Sequence, residues 1–329
     1  MTFSERLRHR AREHPRRIVF PEGEDDRILD AVPVLLRDGL CHPVLLGDPE
    51  RVALGLQSRG VRGELVEVVA PWRLDDAERY VDRVLALRRS KGMDAAAARK
   101  AVADPLNRGA LMVALGEVAG SVAGVAHATG DVIRAAIRYV GTADGIRVVS
   151  SSFYMEVPPF RGEGSEVLTF TDPAVNPEPS PEELAHIALA AAEARRKVVG
   201  DSPVVAFLSY STKGSASGSS VDRVRKAVEL FRDMAPGVPA DGEFQVDTAL
   251  VEAVARRKAP ASAVGGAANV LVFPDLNSAN IAYKLVERLA GAPAMGPILQ
   301  GLAHPCNDLS RGASAEAVVG VACITGLMA

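Results

Sequence analysis

Short apolar runs alternate with longer amphipathic stretches along this chain, and no other feature limits its fold as strongly. RIVF (17–20) precedes a helical pattern from about Arg27 to Arg37, HPVLLGD (42–48) follows, and a long charged helix is predicted from about Leu74 to Ser90. A short apolar run suits a buried strand and one-sided periodicity over ten or more residues suits a helix, so the succession predicts βαβ units on a parallel sheet. Further buried strands are expected in GSVAGVA (120–126), IRVVSSSFYM (146–155), PVVAFLSYS (203–211) and NVLVFPD (269–275). Helices are expected between them at about 131–140, 181–198, 219–234, 247–257 and 278–290. The opening MTFSERLRHRAREHPRR reads as a surface helix stopped before Pro15, with no apolar core of the kind a secretory signal needs.

Composition removes several function classes. A chain of 329 residues, 48% hydrophobic and 24% charged, can bury a sizeable core in one large domain or two smaller ones. The most apolar stretch, GALMVALGEVAGSVAGVA (109–126), is interrupted by Glu117, so no membrane span is expected. A net charge of −3 gives no general attraction for nucleic acid or an anionic membrane, and any anion binding must be local. Cys41, Cys306 and Cys323 have neither metal-ligand nor redox spacing, which favours buried structural thiols in a reducing cytoplasm. The loop-rich segment 157–184 is a candidate domain crossing, although it also carries strand and hairpin character.

In open α/β sheets the active site lies outside the carboxyl ends of strands, so polar clusters that follow apolar runs are the places to search. In HATGDVIR, His127, Thr129 and Asp131 lead into a helix that carries Arg134, a turn suited to a phosphate or simply to capping. In LSYSTKGSASG, Ser209, Ser211, Thr212, Lys213, Gly214, Ser215 and Gly218 form either an anion loop or a mobile surface loop. Pro274, Asp275 and Asn277 end another run and read first as a helix cap. Finally, Gly296, Pro297, Gly301, Pro305 and Gly312 are expected to fix an irregular backbone that presents Ser310 and Arg311, a hydroxyl beside a forked cation. The common elbow, HExxH, P-loop and GxGxxG patterns are missing.

Seven segments in order, RIVFPEGEDDRILDA, LRRSKGM, HATGDVIR, LSYSTKGSASG, KAPASAV, FPDLNSANIAYK and GPILQGLAHPCNDLSRG, resemble the phosphate acetyltransferase (phosphotransacetylase) family from about residue 17 to the C-terminus. The resemblance implies two α/β subdomains flanking a cleft, similar to the isocitrate and isopropylmalate dehydrogenase architecture, usually in a homodimer. It puts the first domain at 1–147 with 298–329 and the second at 148–297. The implied reaction is reversible transfer of an acetyl group between acetyl phosphate and coenzyme A, without metal or permanently bound cofactor, coenzyme A being a substrate. Alternatives are a catalytically weak acyl-CoA-binding regulatory protein, or an acyltransferase for another short acyl phosphate.

By the same resemblance Ser310 bonds the attacking sulfur or the phosphate, and Arg311 stabilises carbonyl and phosphate charge. Arg88 and Arg134 bind phosphate and coenzyme A, in either assignment, with His127, Thr129 and Asn307 as further substrate contacts. The family's aspartate, seven residues beyond the serine, is replaced here by Ala317. Glu316 and His304 are the candidate substitute bases, although Glu316 also suits a helix N-terminus and His304 a plain surface position. Other departures are Asn107 and Arg108 in place of a Tyr-Phe pair, Ala128 for a serine, Ala279 for a glycine, and the unusual His304 and Cys306.

Overall fold

RIVF lies within the strand β1 (Arg16–Phe20), which runs between helices α1 (Phe3–Glu13) and α2 (Asp26–Arg37). The computed structural model describes residues 1–73, 77–88 and 92–329. Within them the chain divides into two units, one joining Phe3–Ala143 to Leu302–Ala329, the other Asp144–Gly301. The first unit continues through β2 (Cys41–Leu46), α3 (Pro49–Ser58), β3 (Glu67–Val69), α4 (Glu78–Arg88), α5 (Ala95–Val102), α6 (Pro105–Ala114), β4 (Gly120–Ala123) and α7 (Thr129–Tyr139). Leu74 and Ser90, the expected limits of the long charged helix, lie outside the described residues.

The second unit holds β5 (Ser150–Val157), β6 (Glu166–Thr171), α8 (Pro181–Val198), β7 (Val205–Leu208), α9 (Ser219–Met234), β8 (Ala240–Phe244), α10 (Val246–Leu250), α11 (Glu252–Lys258), β9 (Val270–Val272), α12 (Leu276–Ala290) and β10 (Ala294–Gln300). The chain then re-enters the first unit as β11 (Cys306–Asp308) and α13 (Ala315–Met328).

In the first unit the strand order is β11-β4-β1-β2-β3, and every pairing is parallel. The carboxyl ends of β11, β4 and β1 therefore lie side by side. A core of Val19, Val44, Leu46, Tyr80, Leu111 and Val132 backs this sheet. Arg108 is buried there with its guanidinium 3.7 Å from the Tyr80 ring centroid, a cation–π contact, and Tyr80 donates to Glu117.

The sheet of the second unit runs β10-β5-β6-β9-β7-β8 and corrects the expectation of parallel strands throughout. β5 pairs antiparallel with both β6 and β10, while β6, β9, β7 and β8 pair in parallel. Only the segment 158–165, with Pro158, Pro159, Gly162 and Gly164, separates β5 from β6, which is too short for the crossover that parallel neighbours need. GPILQ, expected as irregular backbone, belongs to the edge strand β10, and the register shifts between Met295 and Ile298 around Pro297, which has no N–H to donate.

Alternation along the central strands covers both faces of this sheet. Phe207, Val270 and Val272 enter one apolar cluster with Phe231 of α9, while Ala206, Leu208 and Leu271 enter another with Phe153 and Phe273. α8 starts where Ser180 and Glu183 form a reciprocal capping box. The helix expected over 247–257 is broken at Val251 into α10 and α11. All three cysteines are buried and free, and none of the described helices is long and apolar enough to cross a membrane.

Candidate active site

The loops leaving β1, β4 and β11 meet because their strands are parallel neighbours. Glu22, two residues beyond β1, is buried and directs its carboxylate at the loop after β4. Its Oε2 accepts the N–H groups of Gly124 and Val125 at 2.8 and 2.9 Å, and its Oε1 accepts those of Ala126 and His127, each at 2.8 Å. The same Oε1 lies 2.7 Å from His127 Nδ1. Backbone donors that the sequence offered to a phosphate are thus occupied by a carboxylate of the protein.

The open donors lie one step further along. Ala128 is the N-cap of α7 and no side chain caps it, so first-turn N–H groups are left for water or a ligand. Neither Thr129 nor Asp131 acts as the cap that was one sequence reading. Asp131 pairs with Arg134, both exposed, and Thr129 turns toward β11.

Arg27 clamps the two neighbouring loops together. It donates to the carbonyl of Arg311 through Nη1 and to that of Val125 at 2.7 Å through Nη2, while Asp25 holds its guanidinium at 2.8–2.9 Å. The Arg27 hydrogen bond keeps the Asp25 carboxyl below its ordinary range.

On β11 alternate side chains diverge. Asn307 is buried and donates to Thr325 Oγ1 of α13 at 2.9 Å, so its amide is engaged inside the unit. Asp308, also fully buried, accepts a hydrogen bond from Thr129 Oγ1 at 2.7 Å through Oδ2. Gly124, with φ +109°, permits this approach, because a Cβ there would collide with Asp308 Oδ1 and the Leu309 carbonyl. Burial, with a smaller push from the Glu22 charge, takes the Asp308 carboxyl up to about 6 against the Thr129 hydrogen bond.

Beyond Asp308 the chain surfaces. Ser310 and Arg311 are exposed, Ser310 Oγ accepts the Gly312 N–H at 3.2 Å, and the Arg311 guanidinium has no hydrogen bond or ion pair among the described residues. His304 is exposed just before β11. Ser314 caps α13 by accepting the Ala317 N–H, and Glu316 in the first turn is bound by Arg8. Arg88 is the last residue of α4, half-buried, with Nε unpartnered among the described residues.

Residues 2–326 match the family model described as "Phosphate acetyl/butaryl transferase". The chain belongs to that family. It is 42% identical over 329 residues to a phosphate acetyltransferase of Thermoanaerobacterium thermosaccharolyticum, covering 100% of both chains. It superposes on a phosphotransacetylase from Streptococcus pyogenes with a TM-score of 0.93 at 39% identity, covering 99% of this chain and 97% of that one. A 4-hydroxythreonine-4-phosphate dehydrogenase from Klebsiella pneumoniae, at TM-score 0.57 and 13% identity over 95% of this chain and 99% of that one, shares the fold alone.

In this acyltransferase the strand ends gather a hydroxyl, Ser310, an exposed cation, Arg311, and an open helix N-terminus beside Thr129. Such a set favours anions and developing negative charge. Among the described residues no three of His, Cys, Asp and Glu cluster as a metal site would require. The loop after β7 does not match the anion-loop reading. Gly214 N–H and Ser211 Oγ donate to buried Glu243, and Lys213 Nζ reaches Asp241 at 2.5 Å, so this loop is closed on the protein's own carboxylates. Asp275, by contrast, caps α12 through Ser278 N–H, as its sequence suggested.

Glu22 and Arg27 build the site without having been singled out for it, and Asp308, conspicuous in sequence beside Ser310 and Arg311, had no role assigned to it. PEGEDD also follows an apolar run, but an acidic cluster carries no cue that it gathers backbone donors from a neighbouring loop. That role depends on β4 pairing with β1, which local sequence does not express.

Proposed function

We infer that this chain is a phosphate acetyltransferase, moving an acetyl group reversibly between acetyl phosphate and coenzyme A. The observation that carries the reading is the exposed Ser310–Arg311 pair beside Thr129 at the uncapped start of α7, in a chain matching the family over nearly its whole length. Coenzyme A is a substrate and not a resident cofactor. Its thiol, with a pKa near 8.5, is only a few per cent ionised at pH 7, so attack on the acetyl carbonyl needs help at the sulfur. Negative charge then develops on the carbonyl oxygen and on the departing phosphate. Arg311 forks onto that charge, Ser310 donates to sulfur or phosphate, and the α7 N-terminus favours either anion. Arg134 and Arg88 supply further cations for phosphate and coenzyme A, with His127 and Thr129 along the substrate wall. The enzyme works on small anionic substrates in the cytoplasm, without nucleic acid or membrane as partner.

Its protein partner is a second copy of the chain. Of the fifteen residues of α12 only Ala279 is buried, whereas Ile281, Leu285 and Leu289 form an i, i+4, i+8 stripe exposed by 58%, 51% and 82%. A stripe of one kind on a single helix suits a two-fold contact with itself.

Ala317 is the feature that favours the weaker acyl-CoA-binding reading. The deciding experiment follows acetyl-CoA formation from acetyl phosphate and coenzyme A by purified protein in the presence of a chelator, with butyryl phosphate as the competing acyl donor. Thioester formation with acetyl phosphate preferred is expected. No thioester above background from folded, coenzyme A-binding protein would establish the regulatory reading instead.

A further inference from the structure

With alanine at 317, the thiol proton needs another destination; the candidate His304 precedes β11, at the strand end opposite Ser310 and Arg311, and the titratable groups beyond the strand ends are engaged. His127 Nδ1 faces Glu22, the Glu22 carboxylate is filled by four backbone N–H groups, and Glu316 is bound by Arg8. Asp308 differs. No cation pairs with it among the described residues, its Oδ1 has no hydrogen-bond partner there, and its Oδ2 takes only the Thr129 hydroxyl.

That hydrogen bond fixes what Thr129 can offer a ligand. A hydroxyl whose hydrogen is donated inward has only lone pairs left to present outward. Thr129 is half-buried and Asp308 fully buried, so the pair leads from the substrate wall into the interior. We propose that Asp308 is the terminal acceptor of the thiol proton and receives it through the Thr129 hydroxyl. The inference rests on the acetyl-transfer reading above. As the S–H bond breaks, its proton passes to Thr129 Oγ1 while the Thr129 hydrogen moves to Asp308 Oδ2. The sulfur electron pair forms the new C–S bond, and the pair of the breaking acyl C–O bond leaves with phosphate. Acetyl phosphate synthesis reverses each movement, Asp308 returning the proton to the departing thiolate through Thr129.

The electrostatic setting supports the assignment. Burial and the Glu22 charge place the Asp308 carboxyl near 6, so it is ionised at neutral pH yet basic enough to accept a proton. The charged groups around it are Glu22 beyond β1, with His127 on that carboxylate, and Arg27 of α2, held on Asp25 and two carbonyls. On α7, Asp131 and Arg134 pair with each other, and on α13 Glu316 pairs with Arg8. Below about pH 6 Asp308 is protonated and cannot accept, so the rate must fall as pH falls through that value.

The test compares kcat against pH from 5 to 9 for the parent, Asp308→Asn, Thr129→Val, Thr129→Ser and the double variant Asp308→Asn/Ala317→Asp, with melting temperature and coenzyme A affinity recorded for each. The parent is expected to lose rate about tenfold per pH unit below its inflection near 6. Asp308→Asn and Thr129→Val should each lower kcat at pH 7 by about 100-fold or more, erase that inflection, and leave a rate that climbs toward the thiol pKa near 8.5. Thr129→Ser should keep the parent profile, and the double variant should regain rate at pH 7 over Asp308→Asn. An inflection that survives in folded Asp308→Asn or in Thr129→Val overturns the relay while leaving acetyl transfer in place. A parent that forms no thioester overturns both readings. Should Asp308→Asn fail to fold, Thr129→Val decides the question alone, since it removes the hydroxyl and leaves the carboxylate.

Discussion

Glu22 Oε1 stands 2.7 Å from His127 Nδ1, and the same carboxylate collects the N–H groups of residues 124–127. One buried side chain after β1 therefore sets the shape of the loop that leads into α7. Leaving a buried donor unsatisfied costs about 1–3 kcal/mol, and water can reach some of these donors once the side chain is gone. Glu22→Ala is expected to lower stability by about 3 kcal/mol and to reduce acetyl transfer with it. Urea unfolding and turnover of the same preparation check both. Parent-like stability would mean that strand pairing alone holds the loop.

Arg311 has its carbonyl clamped by Arg27 while its guanidinium stays exposed. The clamp acts on the backbone and so survives truncation of the side chain. Arg311→Ala is therefore expected to melt like the parent and to lose about 100- to 1,000-fold in turnover, the usual loss for one charge-stabilising donor. Arg134, exposed and, among the described residues, paired only with Asp131, should behave differently, with Arg134→Ala raising the KM for coenzyme A more than it lowers kcat. Steady-state kinetics on both variants separates the roles, and unchanged turnover in a stable Arg311→Ala would remove that residue from the chemistry.

The strands that sequence revealed are those built from apolar runs. β1, β2, β4, β7 and β9 are buried through most of their length, and their side chains say so directly. β8 escaped because its sequence is ADGEF, two carboxylates in five residues, yet every residue is buried. Asp241 is neutralised by Lys213 and Arg232 and Glu243 by Arg225, partners that lie on other elements and cannot be counted from the strand itself. The site divides in the same way. Ser310 and Arg311 were legible because a hydroxyl beside a forked cation between glycines suggests chemistry, whereas Asp308 stood out in the same polar cluster without a role. Its role depends on Thr129, 179 positions away in sequence and brought to it by the pairing of β11 with β4.

Glu243 makes the acid sensitivity of the second unit predictable. Burial alone would raise its carboxyl, but Arg225 at 2.9 and 3.0 Å, the Gly214 N–H and the Ser211 hydroxyl outweigh that and hold it at about 2 instead of the ordinary 4.5. A carboxyl more acidic in the folded than in the unfolded chain stabilises the fold above its unfolded pKa. That contribution, about 3 kcal/mol, disappears as pH falls from 4.5 toward 2. Glu243→Gln should be clearly less stable than the parent at pH 7, and the gap should narrow between pH 4.5 and 3. Urea titrations at both ends of that range provide the measurement, and a gap independent of pH would show that the ionised form is not what holds the loop.

The exposed stripe of α12 gives the last expectation. Leu289 is 82% exposed and Ile281 and Leu285 more than half, on a helix whose only buried residue is Ala279. Burying apolar surface is worth about 25 cal/mol per Å², so covering three such side chains on each of two copies contributes several kcal/mol to association. A charge at the middle of the stripe would be desolvated against its own copy in a two-fold contact and would meet a like charge there. Leu285→Asp should therefore convert a dimer to a monomer in sedimentation velocity at micromolar concentration. Leu285 is half exposed and lies outside the apolar cluster that α12 covers, so the fold should remain intact by circular dichroism. Leu54→Asp, at a more exposed leucine on α3 in the first unit, serves as the control and should leave the dimer in place. A Leu285→Asp protein that still sediments as a dimer would move the interface away from α12.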